Sequence, residues 1–538
     1  MTQVHGGKIL ADRLALHGVE RVFSVPGESF LAALDGLHDL DIANVVCRQE
    51  GGAAMMAEAH GKMTGQPGVV FVTRGPGATN ASAGLHIAMH DATPLVCFVG
   101  QIPLKHRDRG VFQEVDYRAF FGPLVKWSAE VERTDRLAEY VDRGFAIAQS
   151  GRPGPVVLAL PEDILSALTD EPQLRPGARA PASVHPDDIA PMVEAFQQAK
   201  RPMILCGGSQ WSDTERQAAQ ELAERTGAPI AVTFRRQDFI DNDHPNYAGD
   251  LGVGANPALG KRLADADCLL LLRAELNDIT TADFTLIDPA NAPTILQVSP
   301  DAEAVSKTYP ATFAVTGTPA AVLPQLLAMT SSSDDRGAAE ARAEYEAWQT
   351  PQATPGAVQM EQIICWLRDN ASADTIITNG AGNYAAFLHR YYRFRQYGTQ
   401  LAPTSGSMGY GLPAAVSAKL QHPDQPVICL AGDGCLQMTI QELSTARQHG
   451  ADIIVIVANN GRYGTIRMHQ EKNYPGRVSG TDLFNPDYAA LAVAYGGTGH
   501  SITENGQFAA AYQKALKGGL HIIELKLDPK MLATTKNL

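Results

Sequence analysis

The sequence predicts an α/β protein made of three doubly wound parallel-sheet domains, and three observations predict it. At 538 residues the chain is too long for one hydrophobic core and suggests about three domains of common size. Short apolar, strand-like runs alternate with helical patterns along its whole length, the alternation that builds parallel sheets. Two stretches interrupt the pattern. Residues 171–184 (EPQLRPGARAPASV) are rich in Pro, Ala and Arg, and residues 331–356 (SSSDDRGAAEARAEYEAWQTPQATPG) are charged, then Pro-containing. Read as linkers, they leave domains at 1–170, 185–330 and 357–538.

The composition is globular, 45% hydrophobic and 19% charged, without a long low-complexity tract. A net charge of -14 argues against nonspecific binding to nucleic acid or anionic membrane. No run of 18 or more apolar residues occurs, and the first residues (MTQVHGGKIL) lack a basic-then-apolar signal pattern, so a cytoplasmic protein is expected. The seven cysteines are scattered with no CxxC spacing, which leaves little room for a thiolate metal or redox site.

In the first domain, residues 21–27 read as a strand ending in the turn Pro26-Gly27, and residues 44–47 as a second strand. A helix opened by Glu50 follows over 48–59. Residues 68–73 read as a buried strand running into Arg74-Gly75-Pro76-Gly77-Ala78-Thr79-Asn80, a turn before a small-residue helix. Strands at 94–100 and 155–160 complete the set. The central domain repeats the alternation, with strands at 203–206, 229–233, 268–272 and 294–298. Its stretch 249–254 (GDLGVG) reads as a loop, because Pro257 breaks a GxGxxG pattern. Residues 331–356 are partly helical by pattern.

The last domain opens with a helix, then a strand at 375–378 leading into the glycine turn Asn379-Gly380-Ala381-Gly382-Asn383. Its most informative part is 427–467. An apolar strand ends in Gly432-Asp433-Gly434, read as a tight turn; a helix is expected over 439–449 and a buried strand over 452–458, before Asn459-Asn460. A strand, crossover helix and strand place both strand ends at the same edge of a parallel sheet, where open α/β sheets bind ligands. Asp433 offers a carboxylate oxygen, Asn460 an amide oxygen and Arg462 a backbone carbonyl. Such hard ligands suit Mg²⁺, which one or two side chains hold together with phosphate oxygens. The glycines admit backbone N–H groups to a diphosphate. A lone GDG would be an ordinary glycine turn, and Cys435 beside it reads as a small packing residue.

The complete pattern is more specific. GDG, 27 residues from Asp433 to Asn460, and a closing NN after an apolar strand resemble the thiamine-diphosphate signature. Residues 48–101 (RQEGGAAMMAEAHGKMTGQPGVVFVTRGPGATNASAGLHIAMHDATPLVCFVGQ) closely resemble the pyrimidine-binding domain of the acetolactate synthase family. The resemblance implies that Glu50 hydrogen-bonds the aminopyrimidine ring and stabilises its imino tautomer, whose nitrogen deprotonates the thiazolium carbon. Without it, Glu50 would read as a helix N-terminal acid favoured by the dipole. Phe112-Gln113-Glu114 resembles the loop that puts Gln113 over the reactive face. Ser405-Gly406-Ser407-Met408-Gly409-Tyr410-Gly411 resembles the element in which a methionine bends the cofactor and a glycine carbonyl meets its amino group. The implied catalytic residues are Glu50 and Gln113. The implied cofactor-binding residues are Pro26, Gly77, Asn80, Gly382, Asn383, Gly406, Met408, Gly432, Gly434, Cys435 and Ile466, and the metal ligands Asp433, Asn460 and Arg462. A central domain that in relatives holds FAD or an ADP group, and a homodimer or homotetramer with composite sites, follow from the same resemblance.

The implied reaction is decarboxylation of a 2-oxo acid, pyruvate by default, with the remaining acyl unit passed to a carbonyl acceptor. Simple pyruvate decarboxylases of this superfamily carry a His-His pair and a glutamate after NN. This chain has Gln113-Glu114 and Ile466 there, which favours carboligation over aldehyde release. Other positions depart from biosynthetic acetohydroxyacid synthases. Residues 275–279 (ELNDI) stand where an RFDDR-like run supplies two arginines, Glu162 stands where a lysine follows LP, and residues 468–476 (MHQEKNYPG) replace a tryptophan-bearing segment; within them His469-Gln470-Glu471 either closes over the site or forms a surface loop. These changes argue against FAD and toward an aldehyde acceptor or a different donor acid. Two rival classes remain. One is a thiamine-diphosphate lyase or acyl transferase acting on acyl-CoA, acyloin or sulfonated substrates, which the acidic Glu275 does not support. The other is a noncatalytic paralogue, which would have lost Glu50, Asp433 or Asn460.

Overall fold

The structure, a computed structural model, describes residues 3–170, 172 and 183–535. Most of the linker expected at 171–184 lies outside the described residues. The first strands are β1 (Gln3–His5), β2 (Arg21–Ser24), β3 (Ala43–Val46), β4 (Gly68–Val72), β5 (Leu95–Gln101), β6 (Trp127–Glu130), β7 (Pro155–Pro161) and β8 (Leu168–Asp170). Six of them form a parallel sheet in the order β3-β2-β4-β5-β7-β6, while β1 and β8 pair antiparallel. Strands β4, β5 and β7 are buried at every position, as central strands covered on both faces must be, so their sequences are continuous apolar runs.

A second sheet comprises β9 (Pro202–Cys206), β10 (Ile230–Thr233), β11 (Tyr247–Leu251), β12 (Cys268–Leu272), β13 (Thr294–Ser299) and β14 (Phe313–Thr316). All its pairs are parallel, in the order β11-β10-β9-β12-β13-β14. A third holds β15 (Ile376–Asn379), β16 (Gln400–Leu401), β17 (Val427–Gly432), β18 (Ile454–Asn459), β19 (Thr498–Ile502) and β20 (His521–Lys526), in the order β16-β15-β17-β18-β20-β19 and again parallel. The three-sheet α/β architecture is the expected one. The first and third sheets share one strand order, counted along the chain, and the central sheet has the doubly wound dinucleotide-type order.

Several local readings need correction. Asp433 and Gly434 open a helical turn, Asp433–Leu436, directly at the end of β17, so GDG is a strand-to-helix junction rather than a tight turn. The helix expected over 439–449 is Glu442–Gln448. Residues 249–251, read as loop, belong to β11. The segment after NN is helix Gly464–Asn473, with no buried residue, rather than a surface loop over its first part.

The chain divides into two compact units: 1–180 with 403–424 and 436–453, and 181–402 with 425–435 and 454–538. In the first, helix Gly411–Gln421 packs on helix Glu50–Thr64, and Ser417 Oγ donates to the Met56 carbonyl at 2.8 Å. In the second, Gln237 N–H donates to Gln400 Oε1 at 2.7 Å, tying the turn after β10 to β16.

Candidate active site

In the first unit, Glu50 is the first residue of helix Glu50–Thr64, whose N-cap Gln49 accepts from the Gly52 N–H through its side chain. Glu50 is half-buried, and its Oε2 accepts from Asn80 Nδ2 at 2.9 Å. A Cβ at Gly77 would lie 3.2 Å from Glu50 Oε1 and 2.8 Å from Thr73 Cγ2, so Gly77 keeps the space beside the carboxylate open. A Cβ at Gly27 would meet Thr73 Cβ at 2.5 Å, which sets the Pro26-Gly27 turn against the other side of Thr73. Gln113 has φ 65 and its Cβ lies 2.8 Å from where a Cβ on Gly75 would stand. Its loop is held by Glu114, which accepts from the Asp108 and Val111 N–H groups at 2.6 and 2.9 Å. Glu50, Gly77, Asn80, Gln113 and Pro26 are thus gathered around one strand end, that of β4.

Glu162 has a structural partner there: it forms an ion pair with Arg74, just before helix Pro76–Asp91, which begins within the stretch 74–80 read as a turn. Gly406 and Met408 lie on a separate loop of this unit. Gly406 has φ 69 and Met408 is half-buried; Gly409 beside them packs on Met438 and Thr439, and Thr439 Oγ1 donates to its carbonyl at 2.7 Å.

In the second unit, β17 and β18 run parallel and end side by side, which brings Asp433 to Asn460. Asp433 is 3% exposed. Its Oδ2 accepts from Gly461 N–H and Asn485 Nδ2, both at 2.8 Å, and its Oδ1 from Gly434 N–H at 2.8 Å. Burial pushes its pKa up, against the pull of these donors. The Asn460 Oδ1 accepts from the Arg462 N–H at 3.2 Å, its Nδ2 donates to the Met531 carbonyl at 3.0 Å, and the Arg462 carbonyl accepts from the Gly464 N–H at 2.9 Å. Among the described residues no group of three or more His, Cys, Asp or Glu could hold a metal. The expected ligands Asp433, Asn460 and the Arg462 carbonyl would offer one carboxylate, one amide and one carbonyl oxygen, a set that suits Mg²⁺ completed by phosphate oxygens better than a thiolate or imidazole metal.

The glycines of this half have an unexpected neighbour. A Cβ at Gly432 or Gly382 would fall 2.8 or 2.9 Å from the Tyr384 ring, and one at Gly434 would fall 2.5 Å from the Tyr463 ring. Tyr384 OH donates to Cys435 Sγ at 3.2 Å and accepts from Gly380 N–H at 3.1 Å, so Cys435 packs as expected. Asn383 donates from its N–H to Thr465 Oγ1 at 3.0 Å and from Nδ2 to the Leu532 carbonyl at 2.8 Å. Ile466 stands 53% exposed on helix Gly464–Asn473. Asn485, Tyr384 and the segment 529–532 are the neighbours that sequence reasoning missed. Asn485 lies far from any motif, while Tyr384 directly follows the glycine turn 379–383 and carried no pattern of its own.

The loop of the central sheet is hydrogen-bonded within the chain. At its switch point, between β9 and β12, the chain's own side chains take the carbonyls of the loop: Trp211 Nε1 donates to Gly207 at 2.9 Å and Arg236 Nε to Gly208 at 2.6 Å, while Arg273 Nη1 donates to Ser209 at 2.6 Å and also to Gln210. The neighbouring cavity, lined by Glu275, Asn277, Phe284, Gln297 and Lys307, has a volume of about 230 Å³. Pockets for drug-sized ligands start at about 300 Å³.

Comparison with known proteins agrees with this geometry. Residues 4–120, 189–326 and 380–525 match, respectively, the N-terminal TPP binding domain, the central domain and the C-terminal TPP binding domain of thiamine pyrophosphate enzymes. The chain is 31% identical to the acetolactate synthase isozyme 3 large subunit of Escherichia coli, over 96% of this chain and 93% of that protein. It is 30% identical to the acetolactate synthase large subunit of Parasynechococcus marenigrum, over 93% of this chain and 84% of that one. The mitochondrial acetolactate synthase catalytic subunit of Aspergillus candidus is also 30% identical, over 98% of this chain and 81% of its own length. With three matched domains in the same order and 31% identity over nearly the whole chain to such an enzyme, the chain belongs to the acetolactate synthase family of thiamine pyrophosphate enzymes.

Proposed function

We propose that the chain decarboxylates pyruvate and joins the remaining acyl unit to a carbonyl acceptor, using thiamine diphosphate and Mg²⁺. The observation that carries this reading is the pairing of two carboxylates with two different settings. Glu50 is half-buried on a helix start with Asn80 on its carboxylate; Asp433 is buried at a strand end amid N–H donors. When bound, thiamine diphosphate would supply a nucleophilic carbon for the ketone, once that carbon is deprotonated, and a positive thiazolium ring as the electron sink for decarboxylation. Glu50 holds a proton on the pyrimidine ring and keeps the ring's amino nitrogen basic, with Asn80 orienting its carboxylate and Gly77 leaving room for the ring. Gln113 reaches the reacting face. Met408, the Gly406 carbonyl and Pro26 would hold the cofactor's ring system, Met408 by packing, Gly406 by accepting from its amino group and Pro26 by bordering the ring. Asp433, Asn460 and the Arg462 carbonyl hold Mg²⁺, which neutralises the diphosphate, and Gly382, Asn383, Gly432, Gly434 and Cys435 line that end. Apolar Ile466 supplies no proton near the reacting carbon, so the acyl unit persists long enough to meet an acceptor.

FAD in the central domain remains outside this reading, because residues 275–279 lack the arginine that would meet it. A cytoplasmic homodimer or homotetramer in which each site combines the first domain of one subunit with the last domain of its partner is part of the same reading. An aldehyde acceptor is the second reading. Residues 275–279 hold no arginine to pair with the carboxylate of a second pyruvate. Turnover of pyruvate with both cofactors, following carbon dioxide and organic product together, tests the scheme. Acetolactate alone supports a second pyruvate as acceptor, a mixed acyloin on adding an aldehyde supports the second reading, and free acetaldehyde alone contradicts carboligation. Sedimentation should give at least twice the 57.5 kDa of one chain.

A further inference from the structure

Helix Glu442–Gln448 grips the segment that leads into helix Glu50–Thr64 at three places. At its first residue, both oxygens of the Glu442 carboxylate lie 3.3 Å from the Arg48 N–H. Its last residue, Gln448, accepts from the Arg48 guanidinium through Oε1, and His449, just beyond, accepts the Val46 N–H on Nε2 at 3.0 Å. The three contacts fall two to four residues before Glu50. Rigidity here passes directly to the carboxylate that follows.

Glu442 is fully buried, an expensive place for a carboxylate without partners. Thr445 Oγ1 donates to its Oε2 at 2.6 Å. Burial pushes its pKa up, while the hydroxyl and the backbone N–H groups of Arg48 and Gln49 pull it back. The sequence also makes room for it. A Cβ at Gly52, in the first turn of the Glu50 helix, would stand 2.7 Å from Glu442 Oε1 and 3.0 Å from its Cγ. So the glycine admits the carboxylate to the positive end of that helix, where an anion is favoured. Gln49 caps the Gly52 N–H, leaving Glu442 the donors just ahead of it.

We infer that Glu442 is a positioning residue for Glu50: it holds the backbone entering the Glu50 helix, and so aims the Glu50 carboxylate at the pyrimidine ring without touching the cofactor. This rests on the reading of Glu50 given above. The test is Glu442→Gln in the full-length protein, which keeps the shape and removes the charge. Turnover, thiamine diphosphate affinity by calorimetry, and the near-ultraviolet circular dichroism of the bound pyrimidine tautomer are read together. Expected is a fall in kcat of about tenfold with KM for pyruvate within about twofold, and a weakened tautomer band. A folded Glu442→Gln protein with wild-type kcat and an unchanged tautomer band overturns the inference, whatever its melting temperature. Should Glu442→Gln not fold, Thr445→Val removes a single donor to the carboxylate; a kcat lowered about threefold supports the inference, and an unchanged one overturns it. A wild-type protein that neither binds thiamine diphosphate nor turns over pyruvate overturns the functional reading itself, and the inference falls with it.

Discussion

Asp433 and Glu50 show how two carboxylates acquire different work from their surroundings. Asp433 is buried, raised in pKa by that burial, and its carboxylate, which a cation would complement, already accepts from N–H donors. Asp433→Asn should therefore lose Mg²⁺-dependent cofactor retention, weakening thiamine diphosphate binding by at least about tenfold in calorimetry with Mg²⁺ present. Unchanged affinity would remove Asp433 from the metal site. Both carboxylates were legible in the sequence, Asp433 from its spacing to Asn460 and Glu50 from the residues around it. Asn485, which bridges Asp433 Oδ2 and Asn459 Oδ1, was not, because a single asparagine 52 residues downstream of Asp433 has no pattern to mark it. Likewise, the glycines at 382, 432 and 434 read as openings for a diphosphate, and sequence could not reveal that Tyr384 and Tyr463 lie against them.

At the level of elements, most interior strands were readable, though β20 was not, and of the edge strands β3 was readable while β14 and β19 were not. Strands β4, β9, β12 and β17 are buried throughout and stand out as apolar runs. Strand β14 is exposed at three of four positions and β19 is only partly buried, so neither has a run to recognise. The strand-to-helix junction at Asp433 was missed for a local reason: flanking glycines signal a turn whether or not a helix starts there. Helix Asn383–Tyr391 carries a second kind of information in His389, which is buried, without a partner at Nε2, and lowered to about 3 by burial and the nearby Arg235 guanidinium. The neutral ring is thus the folded form. Its contribution is complete above the unfolded value of about 6.5 and is lost as pH falls toward the folded value, by about 2 kcal/mol at pH 5. Thermal unfolding of His389→Phe across pH 5 to 8 should show a flatter acid limb than wild type. Parallel curves would contradict this origin.

At the scale of the molecule, the three-sheet plan follows from the alternation of strands and helices, and the shared order of the first and third sheets gives each a ligand-binding edge at its strand ends. The sequence did not disclose that 403–424 and 436–453 cluster with the first 180 residues, because such grouping depends on long-range packing. That grouping nonetheless matters to function, since it puts Glu442 behind Glu50. Among the described residues no helix is long and apolar enough to cross a membrane. The account's central claim is that Glu50 drives a thiamine-diphosphate-dependent decarboxylation, and carbon dioxide release from pyruvate by wild type and Glu50→Gln, each saturated with thiamine diphosphate and Mg²⁺, tests it most directly. The account predicts release by wild type and a loss of about 10² to 10⁴-fold in Glu50→Gln with the cofactor still bound. Equal rates in the two proteins, or no release by a cofactor-loaded wild type, would contradict it.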